Sequence, residues 1–311
     1  MILETRPWIL RKLTSPSKVL MSFLTYLATY EAIRLFFVSL LTYFLISPST
    51  HLADLSDTLS SNELAIACFT AFAYVFFQIL LYPLIQTSRH QVITVKKIYP
   101  DYFKSQIEGA FLMVGFCAAM TVIGSYRYLG FFIHFENTSM AFLNLILRIS
   151  VLTVMIYCEE YFFREQLFNK IREFSSATSR LKDWAPILTT SVFYVVMKWI
   201  QFDLGIMHVF TLFLISIKLG MLRSEQGNFA RGAGYLTGAL LVTHVLLGLP
   251  ILGIDFPGLI LLKYIDSDTP SRYDVFLTGG LGGPLSSFLF QMFLSATIIW
   301  QAVTKKTIIK G

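Results

Sequence analysis

Charged residues are scarce in this chain of 311 residues: they make up 14% of it, whereas hydrophobic residues make up 55%. A soluble domain has about 25% charged residues, so a water-soluble globule is excluded. Disorder is excluded as well, because disordered chains are charged and poor in aromatic residues, and this chain has 29 Phe and 15 Tyr. These numbers, with a mean hydropathy of +0.64, indicate a polytopic membrane protein.

Cysteine is also rare. Cys68, Cys117 and Cys158 lie far apart in apolar runs and without CxxC spacing, which favours buried free thiols over a disulfide framework. The glycine run at 278–284 is followed by no Gly-Lys-Ser/Thr, so it is not a phosphate-binding loop. The formal charge of +6 is read as a topology signal in a membrane protein, and we expect no nucleic-acid partner.

A spanning helix needs about 20 mainly apolar residues. The sequence contains eight such stretches, which predicts an all-α transmembrane helix bundle forming one integral membrane domain over residues 1–311. The predicted spans are 20–47, 62–86, 107–131, 139–163, 184–201, 207–222, 232–249 and 283–303. We expect the first to remain uncleaved, because its apolar run is too long for a signal peptide and no small-residue cleavage site follows it.

The basic residues predict the orientation of these spans. With the N-terminus in the cytoplasm, the inside segments hold seventeen Lys and Arg residues, whereas the outside segments hold three, which are Arg127, Lys263 and Arg272. Cytoplasmic loops are enriched in Lys and Arg. We therefore expect both termini in the cytoplasm, and the bacterial cytoplasmic membrane as the location.

Ionisable residues inside a span are functional candidates, because a charge in the bilayer is costly unless it is paired or beside water. Glu159, Glu160 and Arg164 lie at the end of the fourth span. Glu160 and Arg164 share a helix face, whereas Glu159 points about 100° away, which suits a pair of carboxylates with separate acid and base roles. The alternative is a helix end at the interface, with one salt bridge and one solvated glutamate. Arg148, in mid-span, needs a partner on another helix or a water-filled cavity.

The pattern EExxxR at the end of an apolar helix resembles the first motif of the CAAX protease and bacteriocin-processing (CPBP) family. These are intramembrane glutamic endopeptidases related to the Ras-converting endopeptidase, with about eight spans, a cavity facing the cytoplasm and the motifs EExxxR, FxxxH and HxxxN. The resemblance covers residues 140–250 and includes FLISIKLGML at 213–222 with Gly227 after it. It implies that Glu159 activates water, that Glu160 and Arg164 hold the geometry, and that His244 stabilises the oxyanion.

Two motifs depart from the family pattern. The second has Phe193, but Met197 stands at its histidine position; the third has His244, but Gly248 stands at its asparagine position. Methionine transfers no proton, and the loss of an assisting histidine removes a factor of about 10²–10⁴ in rate. Loss of one oxyanion donor raises the barrier by about 2.7–4 kcal/mol. The sequence therefore predicts weakened catalysis.

Two residues near the second motif, Lys198 and His208, could in principle replace its missing histidine. Lys198 points about 100° away from Met197, and His208 is predicted near the outer face, so we expect neither to replace the missing histidine. His244 lies about 18 Å along its predicted helix from the inner end, near which Glu159 is placed, and only a water-filled cleft or different helix ends would bring them together. Glu159, Glu160 and His244 lack the pattern of a catalytic zinc site, and we expect no metal and no cofactor.

Three functions remain open from the sequence. The first is a CPBP-type endopeptidase that acts on membrane-associated or prenylated peptides. The second is an inactive family member that binds peptides or partner helices in the former active-site cavity. The third is a carrier of small solutes or ions that uses Arg148 and the glutamate pair.

Overall fold

The computed structural model describes residues 95–131, 138–174, 181–202, 204–249, 258–264 and 283–310, together with isolated positions, most of them between 17 and 36. The predicted spans 20–47 and 62–86 fall largely outside the described residues. Cys117 and Cys158 are buried free thiols, as predicted, whereas Cys68 is outside the described part of the chain.

The described elements are mainly helical. In chain order they are helix α1 (Val95–Val122), strand β1 (Tyr126–Phe131), helix α2 (Thr138–Glu160), π-helix π1 (Tyr161–Leu167), helix α3 (Phe168–Phe174), helix α4 (Leu181–Gln201), helix α5 (Ile206–Gln226), helix α6 (Ala230–Leu240), π-helix π2 (Leu241–Leu246), strand β2 (Ile260–Tyr264), a 3-10 turn (Pro284–Ser286) and helix α7 (Phe288–Lys310).

Helix α1 corrects the prediction of a span at 107–131. It begins at Val95, inside the segment assigned to a cytoplasmic loop, and ends at Val122. Gly124 then adopts a φ of 87°, a left-handed conformation that commonly terminates helices. Hydropathy located the apolar part of this helix but not its charged first turns, and it did not detect the glycine stop.

A short antiparallel strand pair departs from the all-α prediction. Strand β1 follows α1 and pairs with β2 from Tyr126 opposite Tyr264 to Phe131 opposite Ile260, with an irregularity between Tyr128 and Gly130. Strand β2 belongs to the segment that was predicted to lie outside the membrane. Aromatic and branched residues favour such pairing.

Four later helices lie close to predicted spans. Helices α4, α5 and α7 overlap 184–201, 207–222 and 283–303, and α6 with π2 overlaps 232–249. The described helices include two segments that are long and apolar enough to cross a membrane, Tyr99–Val122 and Ile206–Glu225.

Helix α6 packs tightly on α1 through glycines. A Cβ atom at Gly238 would collide with the carbonyl oxygen of Gln106, and one at Gly234 would collide with that of Tyr102. Small residues spaced by four let two membrane helices approach closely. This contact fixes α6, which carries one wall of the site described next.

Candidate active site

The first motif lies where α2 continues into π1. A π-helix is rare and often occurs at functional sites, because it widens one turn of the helix and disturbs the normal hydrogen-bond ladder. Residues 162–167 are all buried there. The Nε atom of Arg223, on α5, donates a hydrogen bond of 2.9 Å to the backbone carbonyl of Arg164. A side chain from another helix thus satisfies a carbonyl of the widened turn.

Arg223 also holds the far side of π1. Its Nε lies 3.2 Å from Glu165 Oε2, and its Nη2 donates a hydrogen bond of 3.1 Å to Asn169 Oδ1. Burial raises the pKa of the Glu165 carboxyl, and Arg223 and Asn169 oppose that rise. The sequence placed Arg223 in a cytoplasmic loop, but its side chain is buried because it supports the motif turn.

Arg164 is fully buried and connects three helices. Its Nη1 donates a hydrogen bond of 3.0 Å to Thr190 Oγ1 on α4, and its Nη2 donates one of 3.0 Å to the backbone oxygen of Ser216 on α5. Its Nε lies 3.5 Å from Glu160 Oε2, so the predicted ion pair within the motif is present. The guanidinium group therefore fixes Glu160 relative to α4 and α5.

Glu160 occupies a space that only glycine leaves open. Its side chain is fully buried, and within the described residues its carboxylate accepts no hydrogen bond. A Cβ atom at Gly232, on α6, would lie 2.8 Å from Glu160 Oε2, which is closer than real Cβ atoms approach. The carboxylate thus lies against the α6 backbone, and its oxygens remain able to accept hydrogen bonds.

Glu159 is paired rather than solvated. Its Oε1 lies 2.5 Å from Nζ of Lys198, and the side chains of the two residues are 4% and 12% exposed. The alternative of a solvated glutamate at a helix end is therefore wrong. The ring of Tyr194 lies 5.7 Å from Lys198 Nζ and 5.8 Å from Arg164 Cζ. We call Glu159, Glu160, Arg164, Tyr194 and Lys198 the glutamate cluster.

Met197 and Phe193, at the two defining positions of the second motif, both make apolar packing contacts. Met197 is fully buried in an apolar cluster with Phe163 and Leu212, and Phe193 stacks on Phe23 with ring centroids 4.4 Å apart. Lys198, one residue further, is the residue that reaches Glu159. The sequence carried a signal for this contact, because a lysine inside a span requires an acidic partner.

The third motif lies away from the glutamate cluster. Gly232 is the part of α6 that meets Glu160, and His244 is twelve residues further along α6 and π2, about 18 Å at the rise of a helix. His244 instead interacts electrostatically with Arg148 and with the backbone of Leu249. Arg148 is eleven residues before Glu159, about 16 Å along α2. The described structure does not bring His244 to Glu159.

Gly248 has a conformational reason to be glycine. Its φ is 59°, a left-handed value that glycine adopts without strain. The amide of Leu249 donates a hydrogen bond of 2.8 Å to the carbonyl of Thr243, which ends π2. A Cβ atom at Gly258 would collide with the Gly248 backbone, so the returning chain packs directly on this turn.

Two further predictions concern His208 and a metal. His208 lies eight residues before Ser216, about 12 Å from it along α5, and thus away from the hydrogen bond between Arg164 and Ser216. Among the described residues no group of three or more His, Cys, Asp or Glu side chains is placed to hold a metal ion.

Comparison with known proteins matches one segment of the chain. Residues 140–244, about a third of the sequence, match the family described as type II CAAX prenyl endopeptidase Rce1-like. No curated protein and no solved structure matches the chain significantly. The match includes the whole glutamate cluster and ends at His244, and together with the apolar helices it indicates an integral membrane protein with a peptidase-like core. Residues 140–244 are thus similar to the family of Rce1-like CAAX prenyl endopeptidases.

Proposed function

We propose that the chain is an intramembrane endopeptidase in which Glu159 and Lys198 act together on a peptide bond of a membrane-associated or prenylated substrate. The contact of 2.5 Å between Glu159 Oε1 and Lys198 Nζ carries the proposal. It supplies the glutamate of the first motif together with a proton-bearing side chain one residue after the histidine position of the second motif. The proposed setting is an eight-span bundle with both termini in the cytoplasm.

In this mechanism Glu159 is the general base. Its carboxylate takes a proton from water as the water oxygen attacks the substrate carbonyl, and the oxygen of that carbonyl becomes an oxyanion. The Lys198 ammonium stabilises the oxyanion, a role normally given to preorganised donors. When the tetrahedral intermediate collapses, the carbon–nitrogen bond breaks, and Glu159 returns the proton to the leaving amine. Lys198 remains protonated throughout.

Glu160 and Arg164 are positioning residues in this proposal. Arg164 is tied to Thr190 and Ser216, and it holds Glu160 beside Glu159 in the same turn. We propose that His244 has no direct role in the reaction, because it lies far along α6 and π2.

The test uses the purified full-length protein and a library of prenylated and unprenylated membrane peptides. We expect wild type to cleave a subset, and Glu159→Ala and Lys198→Met to lose at least a factor of about 10² in rate. Lys198→His, which keeps a proton-bearing side chain, should retain part of the activity. Lys104→Met is the matched control, because Lys104 is an exposed lysine on α1. Equal rates for Lys198→Met and wild type would refute the proposed pair.

A second candidate function rests on the buried Met197 and on the distance of His244 from Glu159. It is a catalytically inactive family member that binds membrane peptides or partner helices. Retention of peptides by wild type and Glu159→Ala alike, with no cleavage by either, would favour it.

A further inference from the structure

A separate cavity of about 1060 Å³ lies between α1, α5, α6 and α7. Its walls include Glu108, Lys218, Arg231, Tyr235, Phe293 and Trp300. No member of the glutamate cluster is among the described residues that line it. The cavity is therefore not part of the proposed catalytic site, and it is large enough for a ligand of substantial size.

Hydrogen-bond donors in this cavity lack partners. Lys218 is 9% exposed, and its ammonium lies 5.9 Å from the centroid of the Tyr235 ring. It makes no hydrogen bond or ion pair with the residues that the structure describes. The Tyr235 hydroxyl and Arg231 Nε are also buried without a hydrogen-bond partner in that part of the chain. A buried donor without a partner costs about 1–3 kcal/mol. Two such donors lie at this cavity, and the Lys218 ammonium beside them also lacks a hydrogen bond among the described residues, which suits an acceptor ligand.

The two acidic and two basic residues that line this cavity balance in number, but the ion pairs are shared unevenly among them. Arg231 Nη2 lies 3.3 Å from Glu108 Oε2, and its Nη1 lies 3.9 Å from Glu225 Oε2. These two carboxylates already share Arg231, whereas neither is within ion-pair distance of Lys218. Lys218 thus has no close counter-charge among the described residues, which leaves its ammonium for an anionic group.

The other walls of the cavity are mainly apolar, although Thr297, Gln301 and Thr304 also line it, and they continue to the outside of the bundle. Phe293 and Trp300 line it from α7, where Trp300 is 74% exposed and Ile299 beside it is 63% exposed. Lys218 and Trp300 both lie within four residues of the predicted cytoplasmic ends of their spans. Tryptophan and basic residues at that depth mark the level of the lipid headgroups.

We propose that this cavity binds an anionic phospholipid of the cytoplasmic leaflet, with the phosphate against Lys218, Arg231 and Tyr235 and an acyl chain along Phe293 and Trp300. Basic pockets between membrane helices on the cytoplasmic side are suited to such headgroups. A soluble phosphate would satisfy the donors, but it would leave the apolar walls unoccupied. The site does not depend on proteolysis.

The experiment measures thermal unfolding of the full-length protein in detergent with added phosphatidylglycerol, phosphatidylcholine or glycerol 3-phosphate. We expect phosphatidylglycerol alone to raise the midpoint, in a concentration-dependent way. Lys218→Met should weaken the apparent affinity for phosphatidylglycerol about fivefold or more. It should leave the midpoint without lipid unchanged or higher, because it removes an unpaired buried charge. Lys104→Met, the exposed control, should respond as wild type does.

Ala296→Phe is a second variant that narrows the cavity and keeps every charge. It should weaken the response to phosphatidylglycerol. If Lys218→Met does not fold, this variant tests the lipid-binding proposal in its place. Equal responses to phosphatidylglycerol and phosphatidylcholine would overturn the proposal, as would a wild-type response in Lys218→Met. A full response to glycerol 3-phosphate would show a site for a soluble anion instead. Glu159→Ala should keep the lipid response, which separates this proposal from the catalytic one.

Discussion

Replacing Arg164 by methionine leaves the Glu160 carboxylate buried without its cation. Both side chains are fully buried and 3.5 Å apart, and the guanidinium also supplies hydrogen bonds to Thr190 and Ser216. Removal of one partner from a buried ion pair costs about 3–5 kcal/mol. For a domain of 150–250 residues that loss lowers the thermal midpoint by roughly 6–20 °C.

The assay is thermal unfolding in detergent of wild type, Arg164→Met, Glu160→Gln and the double variant. The double variant removes the buried charge together with its partner, so it should recover at least half of the loss caused by Arg164→Met. Arg172→Met, at an exposed position of α3, is the control and should cost no more than about 1 kcal/mol. A loss in Arg164→Met no larger than in this control, or additive losses in the double variant, would refute the reasoning.

Three further predictions concern packing. Gly232→Ala should lower both the midpoint and any cleavage rate by displacing Glu160, at about 1–3 kcal/mol. Gly115→Ala, in an exposed helical position with open space around it, should raise the midpoint instead; the opposite order would contradict the packing described. Met197→His should destabilise the protein by about 1–3 kcal/mol in the same assay and should not raise the cleavage rate above that of wild type, because its site is apolar; a faster cleavage would count against this. Gly238→Ala should speed limited proteolysis by separating α6 from α1. An unchanged rate of proteolysis would contradict the close packing of these two helices.

The sequence predicted the membrane class, the position of several helices and the first motif. Helices α4 and α5 begin and end within a few residues of their predicted spans, since hydropathy reports apolar helices directly. The Glu160–Arg164 pair followed from helical spacing. Its burial did not follow, because burial depends on Thr190, Ser216 and Gly232, which come from three other helices.

The second motif shows where motif spacing misleads. Alignment to FxxxH selected Met197, but the orientation of α4 against π1 brings Lys198 to Glu159. A shift of one residue turns a side chain by about 100°, and sequence spacing does not report how two helices face each other. Likewise, the sequence assigned Arg223 to a cytoplasmic loop as a topology signal. Its side chain instead binds the backbone carbonyl of Arg164, which belongs to the widened turn of π1.

In the proposed mechanism Glu159 and Lys198 act as one catalytic unit. The most direct measurement is the cleavage rate of one prenylated membrane peptide by wild type, Glu159→Gln, Lys198→Met and the double variant, at equal amounts of folded protein. Residues that act as a unit are strongly non-additive, so each single variant should lose at least a factor of about 10², and the double variant should be no slower than the slower single variant. Losses that multiply in the double variant, or a wild type that cleaves no faster than Glu159→Gln, would contradict the account.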